Sequence, residues 1–543
     1  MRAIAYFLIA CYYFLPFASA IAQPRSSAAT PHANSRIVPI HGIPTLEVDG
    51  KPFLIVGAQC DIWRSTHQDA NTIAFFDGYR DLNATAVSVG IPWSKVETFE
   101  GKYEFTFIDW FINQAQTHGL KLVLNLFNTN VCGKVQEGSG SSIYPQYTPT
   151  YILSKPDLYQ RMVLQGPSPY DSAGPPMCPN DPRTLDRERK YVTQVVKHLK
   201  ATDRLHTVVM LQLDNEFYYQ QWTGQRPTDE STIRCQCQFC NSKWSKSTWK
   251  WKNAEEFMFH SFADYVRNLT DAFAQTYDLP VYINSPWWPP YAVPIFLDNC
   301  PHLSFVGIDG MFTPHEPNVL SNSMLSRNIA FAAENPTENG ETRLNLDVLP
   351  YYTLIGRQGI GNLLWECHPP NTVIEDPEAS RRYRESLYPI KNAMFPIAMA
   401  RGTNDILGWY TIRQISSGLD VDKSGNLIPG KAATSVISKS EVFLREGTTT
   451  RSVQDDHFEA IVGTLRIAVS QSPAGIAVRY ADRDIVFALA KGQLLLGTTK
   501  RLRVEAGRFE GATWRVESIV TPIRDLEGYR LNVTAATVLR IRW

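Results

Sequence analysis

Apolar and polar positions along the chain fall into two regimes that meet near residue 430. Upstream, short apolar runs alternate with segments of helical period. Leu46 to Phe53 reads as a small hairpin with Asp49-Gly50 at its turn. Apolar strands follow at Phe53 to Ala58, Ala86 to Val89, Lys121 to Phe127 and Val208 to Leu213. Further strands are expected at Val281 to Ser285, Leu303 to Asp309, Asn362 to Cys367 and Asp405 to Thr411. Between them lie helical patterns. Ile108, Phe111, Ile112 and Ala115 keep the i, i+3, i+4, i+7 spacing of one buried face, with Thr106 placed to cap and Gly119 to terminate. Val192, Val195, Val196 and Leu199 repeat the pattern, and helices are also expected over Ala254 to Tyr277 and Ser380 to Arg401. Strands that are apolar throughout are buried on both faces, as in parallel sheets covered by helices. About eight such strands favour an α/β fold closed as a (β/α)8 TIM barrel over an open sheet.

Downstream the pattern becomes one of strands and turns, as in Gly475 to Tyr480, Ile485 to Leu489 and Val538 to Trp543. Residues 440–543 therefore read as a C-terminal all-β, sandwich-like domain, and 41–430 as the barrel. The first residues follow another logic. Met1-Arg2 precedes an almost wholly apolar run to Phe17, and small residues end it at Ala18 to Ala22. Residues 1–22 thus read as a signal peptide. Residues 23–40, rich in Ser, Ala and Pro, read as a disordered lead-in. The expected location is periplasmic or secreted, with no membrane association after signal removal. Lys plus Arg and Asp plus Glu number 53 each, so no net charge favours nucleic acid.

Three features carry chemistry. Asp214-Asn215-Glu216 ends a buried strand, and in barrels of this kind the reactive face is built at the strand C-termini. A carboxylate there serves no apolar core, although a lone strand-end Glu more often caps a helix or pairs with a Lys. Acid–base work on a substrate needs a second carboxylate on another strand of the same rim. Glu366, in Leu363-Leu-Trp-Glu-Cys-His, meets that condition and by count closes strand seven; Glu341, Asp347 and Glu375 are less cleanly placed at strand ends. Cys235, Cys237 and Cys240 offer three thiols within six residues, and Cys178 is available as a fourth. Four thiolates suit tetrahedral zinc, while an oxidising compartment equally suits disulfides, with Cys132 or Cys300 as partners. Trp93, Trp287, Trp288, Trp365 and Trp409 stand near strand ends, where each either floors a ligand site or packs a core.

Leu211-Gln-Leu-Asp-Asn-Glu-Phe217 followed by Cys235-Gln-Cys-Gln-Phe-Cys240 resembles the β-galactosidases of glycoside hydrolase family 42, within the retaining (β/α)8 clan A. Trp93-Ser-Lys-Val-Glu97 with Glu100-Gly-Lys-Tyr-Glu-Phe105 resembles a stretch shared with family 35. Met177-Cys-Pro-Asn-Asp-Pro182 and Gly408-Trp-Tyr-Thr-Ile-Arg-Gln414 resemble the loop before the fourth strand's helix and the last barrel strand. The resemblance implies Glu216 as acid/base, Glu366 as nucleophile and Asn215 as a contact to a sugar 2-hydroxyl. Of the tryptophans near strand ends, Trp93 and Trp409 are best placed to floor the sugar; Arg413 matches the resembled family, which also makes the four cysteines (Cys178, Cys235, Cys237, Cys240) a structural zinc site away from the sugar. Catalysis then needs no cofactor, and the partner is an oligosaccharide or polysaccharide; the resemblance further implies a homo-oligomer. Rival readings are another clan A glycosidase (endo-galactanase, mannanase or arabinosidase), a non-catalytic carbohydrate-binding barrel, and a zinc hydrolase. An all-thiolate site leaves zinc no open position for water, which disfavours the last.

Overall fold

The computed structural model describes residues 34–60, 68–129, 147–164, 175–217, 234–246, 254–285, 288–289, 291–309, 328–337, 340–356, 358–366, 372–415, 436–444, 451–453 and 457–543. The expected signal segment, Cys132, Tyr218, Tyr219, Trp287, Cys367 and His368 lie outside them. Three short strands come first: β1 (Ser35–Ile40), β2 (Ile43–Val48) and β3 (Lys51–Phe53) form an antiparallel sheet. The Asp49-Gly50 turn is as expected, with φ of 52° and 74°, the two positive values a tight hairpin needs. Residues 35–40 correct the lead-in reading: they are a strand, paired with β2 along its whole length.

Eight parallel strands then close a barrel. They are β4 (Ile55–Cys60), β5 (Ala86–Pro92), β6 (Lys121–Phe127), β7 (Val208–Leu213), β8 (Val281–Ser285), β9 (Phe305–Asp309), β10 (Phe331–Pro336) and β11 (Gly361–Glu366). Each pairs with the next, and β11 returns to β4. Outer helices separate them, among them Thr106–His118, Pro182–Thr202 and Ala254–Ala274. The first stops where Gly119 takes a left-handed φ of 67°. The second starts with Pro182 in its first turn, capped by Asp181, which accepts from the Arg183 N–H at 3.1 Å.

Two corrections concern the strand count. Phe331–Pro336 is the seventh strand, which the apolar pattern did not announce. Glu366 therefore closes the eighth strand, not the seventh. The run around Trp409, expected to be the last barrel strand, instead forms β12 (Ile406–Ile415) of the C-terminal region. There it pairs antiparallel with Val436–Leu444 and Ala474–Ala481 inside an eight-stranded sheet. A five-stranded antiparallel sheet faces it, and side chains of both sheets, including Leu407, Trp409, Phe458, Ile467, Phe487 and Leu539, share one apolar core.

The barrel interior has two layers. Strand side chains alternate, so residues two apart share a face. Ile55, Ala86, Val123, Met210, Tyr282 and Phe305 make the lower layer, with Phe331 and Leu363, and the hairpin residues Leu46 and Val48 pack against it. Two or four residues further on, the same faces carry Gln59, Ser88, Asn125, Gln212, Asn284 and Asp309, all buried. Below the apolar layer, Arg401 is fully buried and donates to Thr45 Oγ1 at 2.9 Å and to the Gly359 carbonyl. That fastens the hairpin across the N-terminal end of the barrel.

Candidate active site

The polar layer opens toward the C-terminal ends of the strands. Just past β7, Asp214 and Glu216 both hold positive φ, 55° and 48°. Non-glycine residues rarely adopt this conformation and keep it only where surroundings enforce it. Asp214 supplies much of that enforcement. Its carboxylate accepts from the backbone N–H groups of Asn215 (3.0 Å) and Thr129 (3.1 Å) and from Thr129 Oγ1 (3.0 Å), tying the end of β6 to the end of β7. Burial raises Asp214 to about 6. Beside it Glu188, raised by burial to about 8, accepts from Asn128 Nδ2 at 2.9 Å and from the Tyr265 hydroxyl. Trp288 closes the turn from the other side by donating to the Phe217 carbonyl at 3.0 Å.

Glu216 itself points into the barrel mouth, where it meets Asp309 from the end of β9 and Glu334 from β10. One carboxylate oxygen of each lies within 4.8 Å of the others, and all three residues are buried. Asp309 and Glu334 stand side by side as register partners, next to an irregularity in β10. Such bulges re-aim side chains next to reactive sites. Asn284 of β8 links the group. Its Oδ1 accepts the Glu216 N–H at 2.8 Å, and its Nδ2 reaches Asn215 Oδ1 (3.1 Å), Asp309 Oδ2 (3.0 Å) and Glu334 Oε1 (3.2 Å). Gln59 Nε2 also donates to Glu334 Oε1, at 3.1 Å.

Electrostatics separates the three acids. Burial pushes Glu216 well above the usual carboxylate range, and the charge of Glu334 pushes it further. Asp309 is raised by burial and then by both neighbours. Glu334 is raised by burial to about 7, with the hydrogen bond from Gln59 favouring its charged form. The layer beneath contains buried polar atoms with no hydrogen-bond partner among the described residues: Gln59 Oε1, Ser88 Oγ, Asn125 Oδ1 and Nδ2, and Gln212 Oε1. Unsatisfied buried groups are costly, so a cluster of them at the mouth marks a place completed by ligand or water.

Of the residues singled out from sequence, Glu216 and Asn215 belong to this cluster. Asn215 Oδ1 is anchored by Gln212 Nε2 at 3.1 Å as well as by Asn284, which fixes its amide orientation. Trp93 does not floor a ligand site. It is fully buried, stacks on Tyr191 at 5.3 Å and donates from Nε1 to Glu97 at 2.8 Å. Glu97 also accepts from the Gly101 N–H and pairs with Arg187, so the Trp-Glu-Glu-Gly motif builds a buried ion-pair network. Trp409 is likewise no ligand residue, being packed against Phe458 in the C-terminal core with Nε1 on Ser472 Oγ at 3.2 Å. Arg413 sits on β12, paired through its backbone with Ser438; its side chain and that of Glu366 lie outside the described residues. Asp347 is taken by Arg382 at 2.8 Å. Sequence reasoning missed Glu334 and Asp309. Glu334 stands on the strand that the apolar pattern passed over. Asp309 ends a strand that was recognised, and an acid closing an apolar run was its available signal.

The four cysteines do come together. Cys178 Sγ lies 3.3 Å from Cys237 and 3.4 Å from Cys240, and the four sulfurs fall within 4.8 Å of one another. A zinc–thiolate tetrahedron with bonds of about 2.3 Å has sulfur separations of roughly 3.8 Å, so these residues fit that ion. Backbone N–H groups of Val163 and Asn180 and the Asn180 amide point at the sulfurs, as polar groups around metal thiolates do. None of the described cysteines is joined in a disulfide. This cluster caps the loop ahead of helix Pro182–Thr202 and is separate from the carboxylates.

No family model and no curated protein matches the chain. Similar solved structures include a β-galactosidase from the Antarctic haloarchaeon Halorubrum lacusprofundi, with TM-score 0.42 and 15% identity over 63% of this chain and 58% of that one. A β-galactosidase from Bacillus circulans gives TM-score 0.42 and 14% identity over 63% and 56%. Endo-glycoceramidase II from a Rhodococcus species gives TM-score 0.39 and 12% identity over 91% and 98%. The chain spans less than two thirds of the length of either galactosidase. The barrel assignment rests on the strand order and register described above.

Proposed function

We propose that this protein is a retaining glycoside hydrolase acting on β-galactoside-like sugars, with Glu216 as acid/base and Glu334 as nucleophile. The observation that carries this reading is the meeting of two acids from strands four and seven within 4.8 Å at the barrel mouth. Retaining glycosidases need roughly 5–5.5 Å between carboxyl groups, whereas inverting ones leave about 6.5–9.5 Å for a water. The environments support the roles: burial and the charge of Glu334 favour the protonated form of Glu216, while the hydrogen bond from Gln59 favours the charged form of Glu334. Glu334 attacks the anomeric carbon while Glu216 protonates the departing oxygen. Glu216 then deprotonates the water that releases the sugar. Glu334 replaces Glu366 in the nucleophile's role because strand seven carries it. The galactoside preference rests on the sequence resemblance, as does the 2-hydroxyl contact from Asn215.

The test is hydrolysis of an aryl β-galactoside followed by NMR of the first-formed sugar. The β-anomer appearing first is expected; the α-anomer first would refute the double displacement, and no turnover of any aryl glycoside would refute the enzyme reading. We further propose that the four cysteines hold one structural zinc, which would staple the loop before helix Pro182–Thr202. We also propose that residues 1–22 direct export, and that no catalytic cofactor is used. Among the described residues no helix is long and apolar enough to cross a membrane.

A further inference from the structure

Two carboxylates suffice for the double displacement, yet the mouth holds three. Asp309 is buried, and its Oδ2 is fixed by the Asn284 amide at 3.0 Å. Its carboxyl also lies within 4.8 Å of Glu216 and Glu334, and the contact with Glu216 is a side-chain hydrogen bond. Glu334 is its register partner on the next strand. From β8 the groups facing it are the neutral amide of Asn284 and the Tyr282 phenol, whose ionisation is raised by burial and then by the charges of Glu334 and Asp309. From β4 the neighbour of this group is Gln59, also neutral. The described charges around Asp309 are therefore the two acids already assigned roles.

We propose that Asp309 is a positioning residue for Glu216: the two carboxyls, with oxygens within 4.8 Å, share one proton, and that proton is the one Glu216 delivers to the leaving oxygen. This rests on the acid/base reading of Glu216. When the glycosidic bond breaks, the proton passes from Glu216 to the aglycone oxygen, leaving Glu216 charged beside Asp309. When water attacks, its proton returns to Glu216 and the shared state is restored, so the cycle balances. Like charges at this range raise the proton affinity of one another, so a third carboxylate extends the pH range over which the acid remains loaded.

The test compares the wild-type protein with Asp309→Asn and Asp309→Glu. Asparagine keeps the size and the acceptor for Asn284 but removes the charge. Two readouts are taken: titration of carbon-13-labelled carboxyl groups by NMR, and the pH profile of kcat/KM on an aryl β-galactoside. In Asp309→Asn the highest carboxyl titration and the alkaline limb of the profile are expected to move down by roughly one pH unit or more, and Asp309→Glu should restore most of the shift. An alkaline limb and a carboxyl titration unmoved in Asp309→Asn would overturn the proposal, even if kcat fell. The titration needs no turnover. Absent activity in every form therefore refutes the glycosidase reading, while an unmoved titration refutes the role of Asp309.

Discussion

The lower and upper halves of the barrel are built from the same eight strands and the same alternation, yet they differ in what is left unfinished. Below, Tyr282 and Phe305 stack at 5.1 Å, Phe331 packs edge-on at 5.3 and 5.6 Å, and the hairpin closes the end. The apolar side chains there meet one another. Above, among the described residues, Asn125, Gln212 and Ser88 are buried with polar atoms unmet, beside three buried acids. One half is built for folding, and on the proposed reading the other is built for a substrate. Stability and chemistry are thus separated along the barrel axis, within about four residues on each strand.

That separation can be broken most strongly from above. Glu334→Ala should abolish turnover, with azide restoring it as a glycosyl azide, and Glu216→Gln should lose on the order of 10²–10⁴-fold in rate. Both variants should melt at or above the wild-type temperature, because each removes an acid that burial makes costly. An active Glu334→Ala, or an unfolded one, would erase the distinction. From below, Phe331→Ala should cost about 3–5 kcal/mol of stability by opening a cavity in the aromatic layer. At a temperature where it remains folded, its KM should be unchanged; a variant as stable as wild type would mean that the lower layer is not the stabilising one.

A further effect concerns pH. Asp214, Glu334 and Glu188 sit at about 6, 7 and 8 in the folded protein, all above their unfolded values near 4. The folded chain then retains protons that the unfolded chain releases. Their contribution to stability is fully present below about pH 4 and is lost as pH rises through roughly 6 to 8. The urea midpoint should accordingly fall between pH 5 and pH 8. A midpoint rising over that window would contradict the burial of these acids.

The same contrast explains what was legible in the sequence. Apolar strands such as Lys121–Phe127 and Val281–Ser285, and helices with one buried face such as Thr106–His118, announce themselves because burial writes their periodicity. Phe331–Pro336 was invisible for the opposite reason. Its Ala-Ala-Glu-Asn-Pro stretch has weak strand propensity and ends in polar groups, because it builds the site rather than the core. The run around Trp409 was legible as a strand but not as belonging to the second domain, since a buried parallel strand and a sandwich-core strand share one apolar pattern. The two errors offset each other in the count of eight and shifted Glu366 into the place that Glu334 holds. Glu216 and the four cysteines were legible because each stands in a dense local motif. Asp309 was not singled out, as its meaning depends on neighbours from strands far away in the chain.

The most direct measurement is to trap the covalent intermediate. Incubation with an activated 2-deoxy-2-fluoro-β-galactoside, followed by digestion and mass spectrometry, should place a single fluorosugar on Glu334. A label on Glu366 or on any other carboxylate, or full activity with no label formed, would contradict the pairing of strands four and seven on which the reaction is built.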